Sequence, residues 1–233
     1  MKKVLYKLFF GSPAYNIPTT HTAYQNFSLH LKGIWNNEKH NDVGFEKVLR
    51  LMLVAIQIIF PGIHIRNYFG KKGIIIRSVA IEFYVLFKTI LPLVFLFTDL
   101  YRYKLVVYIS FYLLTETTCY VASLIFVSDI FVKPRSYRRN ILMLFFNYIE
   151  ISFNFAIIYG GLSLLNNKVL SVWDLIYFSI ITSTAVGYGD MYPVSNLGKV
   201  VVCVHALMMV SFIVLFLNFF SSKVEVIHTS DEN

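Results

Sequence analysis

The residues whose chemistry is easiest to read lie together at 184–190, where Thr184, Ala185, Val186, Gly187, Tyr188, Gly189 and Asp190 spell TAVGYGD. A row of backbone carbonyls can replace the hydration shell of a cation only when successive carbonyls turn toward one axis. The backbone must then alternate between ordinary and left-handed regions, and glycine enters the left-handed region without a Cβ penalty. Gly187 and Gly189 stand at alternate positions, as such a row requires. A second group is ionisable: Lys88, Glu116, Glu150 and Glu82 all fall inside apolar stretches. Charges at such depth are costly and point by default to function. Lys88 and Glu116 read as a pair near the bilayer centre, with Glu82 and Glu150 as competing partners. An ion pair that only registers the helices and a sensor are both open readings. His205, alone in the last apolar stretch, reads as a packed or cavity-side histidine before it reads as a ligand.

Helices must position these groups. Of 233 residues 57% are hydrophobic and 15% charged, against roughly 45–50% and about 25% in soluble domains. With a mean hydropathy of +0.62 this is a membrane protein. The net charge of +8 is spread along the chain, which excludes a basic nucleic-acid stripe, and the composition excludes a disordered or collagen-like chain. The two cysteines, Cys119 and Cys203, lie in apolar segments and read as reduced, packed residues, so a disulfide scaffold is excluded as well.

Four stretches are long enough for a hydrocarbon core of about 30 Å: Gly73 to Phe97, Lys104 to Phe131, Arg139 to Leu165 and Gly198 to Phe220. Each is expected to be a helix, because a lone spanning segment must satisfy its own backbone. The shorter run Leu51 to Ile65, interrupted by Pro61 and Gly62 and flanked by Arg50, Arg66, Lys71 and Lys72, reads as interfacial or re-entrant. Basic residues gather on the cytoplasmic side. With the N-terminus inside, all but Arg102, Lys104, Lys168, Lys199 and the intraspan Lys88 of the 21 Lys and Arg face the cytoplasm, including Lys2, Lys3, Lys7, Lys133, Arg135, Arg138 and Arg139. Lys7 leaves too short an apolar run for a cleaved signal, and Val4, Leu5, Leu8 and Phe9 suit a helix lying on the inner leaflet. The stretch Pro13 to Glu46 carries no legible motif and reads as a cytoplasmic lead-in.

Between the third and fourth stretches, SVWDLIYFSIITSTAVGYGDMYP is apolar yet too short and interrupted to cross. Ser171 and Asp174 make a capping-box-like start for a short helix running to about Thr182. In that setting TAVGYGD resembles the selectivity filter of potassium channels, with Pro193 and Gly198 where that family often has them. The resemblance covers roughly Arg139 to Ser221 in the order outer helix, pore helix, filter, inner helix. It implies that carbonyls of Ala185, Val186, Gly187 and Tyr188 line successive K+ sites with Thr184 at the inner mouth. It also implies that Tyr188 packs outward against Tyr177 and Phe178, and that Asp190 sits behind the outer mouth and accepts from the Tyr177 hydroxyl. The family is tetrameric, and one loop cannot surround an ion, so a homotetramer is implied. Two departures stand out. Ala185 replaces the usual threonine whose hydroxyl helps coordinate the innermost site, and Met209 stands where many relatives have a hinge glycine.

No span carries Arg or Lys at every third position, so the two N-terminal spans do not read as a voltage sensor. Residues 222–233 read as a short cytoplasmic tail, with no fused ligand-binding domain. The expected organisation is a cytoplasmic or interfacial region at 1–72, two spans within 73–131 and a pore domain at 139–221. The fold class is an all-α membrane protein with four transmembrane helices, a re-entrant pore helix and filter loop, and a tetrameric pore. The expected function is passive K+ conduction across the cell membrane with both termini cytoplasmic. No enzymatic motif and no cofactor other than the permeant ion is expected, and the partners are the bilayer and further copies of the chain, not nucleic acid. A weakly selective cation channel and a non-conducting regulatory subunit are the rival readings.

Overall fold

The computed structural model describes residues 22–37, 42–128, 137–166 and 171–231. The readings of Val4, Leu5, Leu8 and Phe9 as an interfacial helix, and of Lys2, Lys3, Lys7, Lys133, Arg135 and Lys168, lie outside the described residues. Within them the regular structure is helical, apart from one isolated bridge between Leu165 and Pro193. The chain divides into two compact units, Met1–Leu86 with Ala122–Val132, and Phe87–Val121 with Lys133–Asn233.

Among the described residues of the first unit α1 (Ala23–Trp35) comes first, where the sequence reads only as a lead-in. Its start is fixed by a capping box: the Thr22 amide donates to Gln25 Oε1 at 2.8 Å and the Gln25 amide to Thr22 Oγ1 at 3.2 Å. Its end is marked by Asn37 in the left-handed region, a conformation that asparagine tolerates better than most residues. The next helices, α2 (Gly44–Ile56) and α3 (Pro61–Gly70), are joined through a short 3-10 turn at Gln57–Ile59. Pro61 has no N–H to continue a ladder and forces Phe60 into an extended backbone, so the pair bends by 69°. That bend is the structural form of the interrupted run Leu51 to Ile65. Ile34, Leu53, Val54 and Val127 form the buried centre of this unit, with Phe27, Leu31 and Leu49 packed against them. Arg50 is buried too, paired with Asp42 at 3.1 Å.

Two long helices, α4 (Ile74–Phe97) and α5 (Lys104–Phe126), contribute residues to both units. The second unit adds α6 (Tyr137–Gly161), α7 (Val172–Ser183) and α8 (Asn196–Asp231). Among the described residues four helices are long and apolar enough to cross a membrane: Ile74–Phe97, Lys104–Phe126, Arg138–Gly161 and Asn196–Leu217. The boundaries differ from the sequence reading in places. Patterning carries the third span to Leu165, but the helix stops at Gly161 because Ser163 turns left-handed and Leu165 enters the bridge with Pro193. The second span ends at Phe126, short of Phe131, and α8 continues beyond Phe220.

Gly160 and Gly161 allow α6 to pack closely on both sides. A Cβ on Gly160 would lie 2.5 Å from Leu175 Cδ1 on α7, and one on Gly161 would lie 2.6 Å from the Tyr101 carbonyl oxygen. Small residues at such crossings let helix backbones approach where no water drives them together. The α6–α7–α8 packing that follows is what positions the 184–190 strip.

Candidate ion pathway and its buried supports

α7 starts where Ser171 donates its amide to Asp174 Oδ2 at 2.8 Å and ends at Ser183. Leu175, Ile176, Phe178, Ser179, Ile181 and Ser183 are buried, while Trp173 is exposed and meets Phe97 edge-on at 5.2 Å. Past Ser183 the chain turns back on the helix end. The amides of Thr184, Ala185 and Val186 donate to the carbonyls of Ile180, Thr182 and Ile181 at 3.0, 3.1 and 3.0 Å. These bonds use carbonyls that a helix C-terminus otherwise leaves open. The following strip has φ of +57° at Ala185, +54° at Gly187 and +77° at Gly189, while Val186 and Tyr188 keep negative φ. Glycine accounts for two of the three left-handed positions. Ala185 is the third, and a Cβ there costs on the order of 1–2 kcal/mol, so the surrounding bonds must hold it. Among the described residues none donates a hydrogen bond to the carbonyls of Ala185, Val186, Gly187 or Tyr188. All of 184–190 is exposed in the single chain, including the apolar side chain of Val186 and the ring of Tyr188.

The Tyr188 ring lies parallel to that of Tyr177, with centroids 6.5 Å apart, and the Tyr177 hydroxyl donates to Asp190 Oδ2 at 3.0 Å. Phe178 behaves differently from the sequence reading. One residue on, it is turned about 100° round the helix and is buried edge-on against Tyr159 at 4.9 Å, so within one chain Tyr177 alone of the two stacks on Tyr188. Behind the strip, Asn166 donates its amide to the Tyr192 carbonyl, and Val194 donates to that of Leu164, both at 3.0 Å. Gly198 is needed close by: a Cβ would sit 3.0 Å from both the Leu164 oxygen and Pro193 Cβ.

The ionisable residues gather on another face of α6. Lys88 Nζ lies 3.9 Å from Glu116 Oε2 and 3.7 Å from Glu150 Oε2, so the expected pair is a triad. Thr117 threads it together, accepting from Lys88 Nζ at 2.5 Å and donating to Glu150 Oε2 at 2.6 Å. Asn154 donates to Glu150 Oε1 at 2.7 Å. All five residues are buried. Pro92 sits one turn above Lys88 on α4 and offers no N–H to the Lys88 carbonyl. Glu82, the remaining acid that the sequence offered as a partner, is half-buried and belongs to the other unit.

His205 is fully buried on α8, with Nδ1 3.0 Å from the Tyr159 hydroxyl and Nε2 2.9 Å from Ser183 Oγ. Its ring stacks on Phe155 at 3.9 Å. Ser183 Oγ is also 2.8 Å from Ser152 Oγ, and Ser179 donates to the Ser152 carbonyl. The sequence points to His205 but to none of these partners. A signal for them exists in the i, i+4 spacing of Ser179 with Ser183 and of Glu150 with Asn154 inside apolar helices, where polar side chains seek one another.

Residues 142–226, a little over a third of the chain, match the family model described as ion channel. No curated protein and no solved structure matches the chain. The match and the four helices of spanning length support a multi-pass membrane protein of the ion channel kind, and point to transport in place of catalysis.

Proposed function

We propose that the chain is one subunit of a homotetrameric channel of the cell membrane that conducts K+ passively and selectively, with both termini in the cytoplasm. Four copies bring their 184–189 strips to one axis. There the carbonyls of Ala185, Val186, Gly187 and Tyr188 take the place of water around the ion, Thr184 lines the inner mouth, and Asp190 with Tyr177 braces the outer one. The observation that carries this reading is the left-handed backbone at Ala185, Gly187 and Gly189 alternating with Val186 and Tyr188. Such an alternation turns successive carbonyls to one side, which is what dehydrating a cation requires. The exposure of Val186 and Tyr188 adds to it, since an apolar side chain and an aromatic ring left uncovered in one chain call for neighbouring copies.

The test is ion flux through the purified protein in liposomes under opposed K+ and Na+ gradients. Wild type should pass K+ well ahead of Na+, and Gly187→Ala, which puts a methyl group on a left-handed residue, should abolish the preference or the flux. Unchanged K+ over Na+ permeability in Gly187→Ala would remove the strip from the ion path. Ala185 favours a second reading, a weakly selective cation channel, because its side chain carries no hydroxyl for the innermost site. Equal K+ and Na+ permeability in wild type would replace the first reading with that one.

A further inference from the structure

Ser183 closes the pore helix α7, and the hydrogen bonds of Thr184, Ala185 and Val186 return to the turn that Ser183 completes. Whatever fixes Ser183 therefore fixes the base of the strip. Three helices meet at its hydroxyl: Ser179 O of its own helix at 2.8 Å, Ser152 Oγ of α6 at 2.8 Å and His205 Nε2 of α8 at 2.9 Å. We propose that His205 is a positioning residue for the ion pathway, a clamp in which its ring holds Ser183 from one nitrogen and Tyr159 from the other and so sets the backbone of Thr184 and Ala185. The proposal rests on the channel reading for its consequence in selectivity, but the clamp itself is a statement about the packing.

Counting protons assigns the tautomer. A hydroxyl has one proton and two lone pairs, and a neutral imidazole has one donor and one acceptor. If Nε2 carries the proton, it donates to Ser183, Ser183 donates to the Ser179 carbonyl, Ser152 supplies the second donor to Ser183 or bonds the Tyr148 carbonyl at 3.1 Å, and Tyr159 donates to Nδ1. Every buried donor then has an acceptor. With the proton on Nδ1, the Tyr159 hydroxyl must accept from the ring, and its own proton meets no acceptor among the described residues, although Tyr159 is fully buried. An orphaned donor in such a place is strongly disfavoured. The ring is thus a neutral Nε2–H donor, held flat by Phe155 stacked at an interplanar angle of 10°. Through Phe155, Tyr159 and Ser152 the reference for the strip is α6. The left-handed Ala185, two residues beyond Ser183, is the position that most needs this hold.

The experiment uses the full chain in liposomes and two readouts, amide hydrogen exchange over residues 184–187 and K+ over Na+ permeability. His205→Leu should speed exchange of these amides about tenfold or more, the scale of one lost buried hydrogen bond, and should reduce the permeability ratio by a similar factor. His205→Gln, whose amide can donate to Ser183 while its oxygen accepts from Tyr159, should bring both back to within about threefold of wild type. Wild-type exchange in His205→Leu overturns the clamp, as does a His205→Gln no better than His205→Leu. If His205→Leu does not assemble, Tyr159→Phe, which removes one bond to the ring, and Ser183→Ala, which removes the three at that hydroxyl, should each speed exchange; no change in either overturns the proposal. A wild type that conducts without selectivity while His205→Leu still loosens 184–187 refutes the selective-channel reading and leaves the clamp standing.

Discussion

Two buried polar clusters hang on different faces of α6, and they are built on opposite principles. The Lys88, Glu116 and Glu150 cluster is charged and unequal, two acids to one base, with Thr117 and Asn154 each donating a hydrogen bond to Glu150. The Ser152, Ser183, His205 and Tyr159 cluster is neutral, and each donor in it has an acceptor. Charge buried at membrane depth is tolerated only while its partners stay in place, so breaking the first cluster should be costly. A satisfied neutral network rigidifies without imposing a field. Beside a strip proposed to pass cations, a fixed charge would compete with or repel the ion. At its base, beside Ser183, the strip is thus held by hydroxyls and an imidazole, while the Lys88 cluster lies on the α4–α5 side of α6 and Asp190 is the one carboxylate of the strip itself, at its far end.

The largest test of that contrast is Lys88→Met. It leaves two carboxylates without their cation and should cost about 3–5 kcal/mol in thermal or denaturant unfolding of the assembled protein in detergent. Adding Glu150→Gln and Glu116→Gln should restore much of the loss. Simple additivity of the three would mean that they do not form one cluster. Next in size, Thr117→Val removes a hydroxyl bonded to two ions and should cost about 2 kcal/mol, whereas Tyr159→Phe removes a hydroxyl bonded to a neutral ring and should cost about 1 kcal/mol. Equal losses would erase the distinction between the clusters. Combining Lys88→Met with Tyr159→Phe should give the sum of the two to within about 0.5 kcal/mol, because the clusters share no side-chain partner.

The smallest effect is expected at Ala185. Ala185→Gly should relieve left-handed strain by about 1 kcal/mol or less in the same unfolding measurement. Ala185→Thr should go the other way, since a β-branched residue fits that backbone region worse than alanine does. In a tetramer it also adds four hydroxyls around the axis and should change block by barium. If Ala185→Thr changes neither stability nor block, the backbone and the register given to Ala185 are both wrong.

Much of this architecture is legible in the amino-acid sequence. TAVGYGD, the start of α7 at Ser171 and the four long apolar stretches follow from glycine chemistry, capping and bilayer thickness, all local rules. What stays hidden is mostly not local. Tyr177 and Phe178 are equally aromatic neighbours, and only the packing of α6 decides that one faces Tyr188 and the other Tyr159. Depth counting puts Lys88 level with Glu116, yet it cannot say that a third helix brings Glu150 to 3.7 Å. The left-handed Ala185 is hidden because only glycine announces that conformation in a sequence. α1 is the opposite case: Thr22 and Gln25 spell a capping box, and the polar residues around them mask it.

Helix α8 runs from Asn196 to Asp231 with no Gly after Gly198 and no Pro at all, and Met209 is buried along the stripe of Val201, His205, Phe212 and Leu215. At 1.5 Å per residue it is a rod of roughly 54 Å. Such a rod has no soft joint, so a force applied near its far end is not absorbed by bending but arrives as tilt or rotation at whatever the helix grips. Among what it grips is the hydroxyl of Ser183, through His205. Under the clamp proposed above, tilt or rotation of α8 would therefore reach the foot of the 184–190 strip through His205, whose ring is stacked on Phe155.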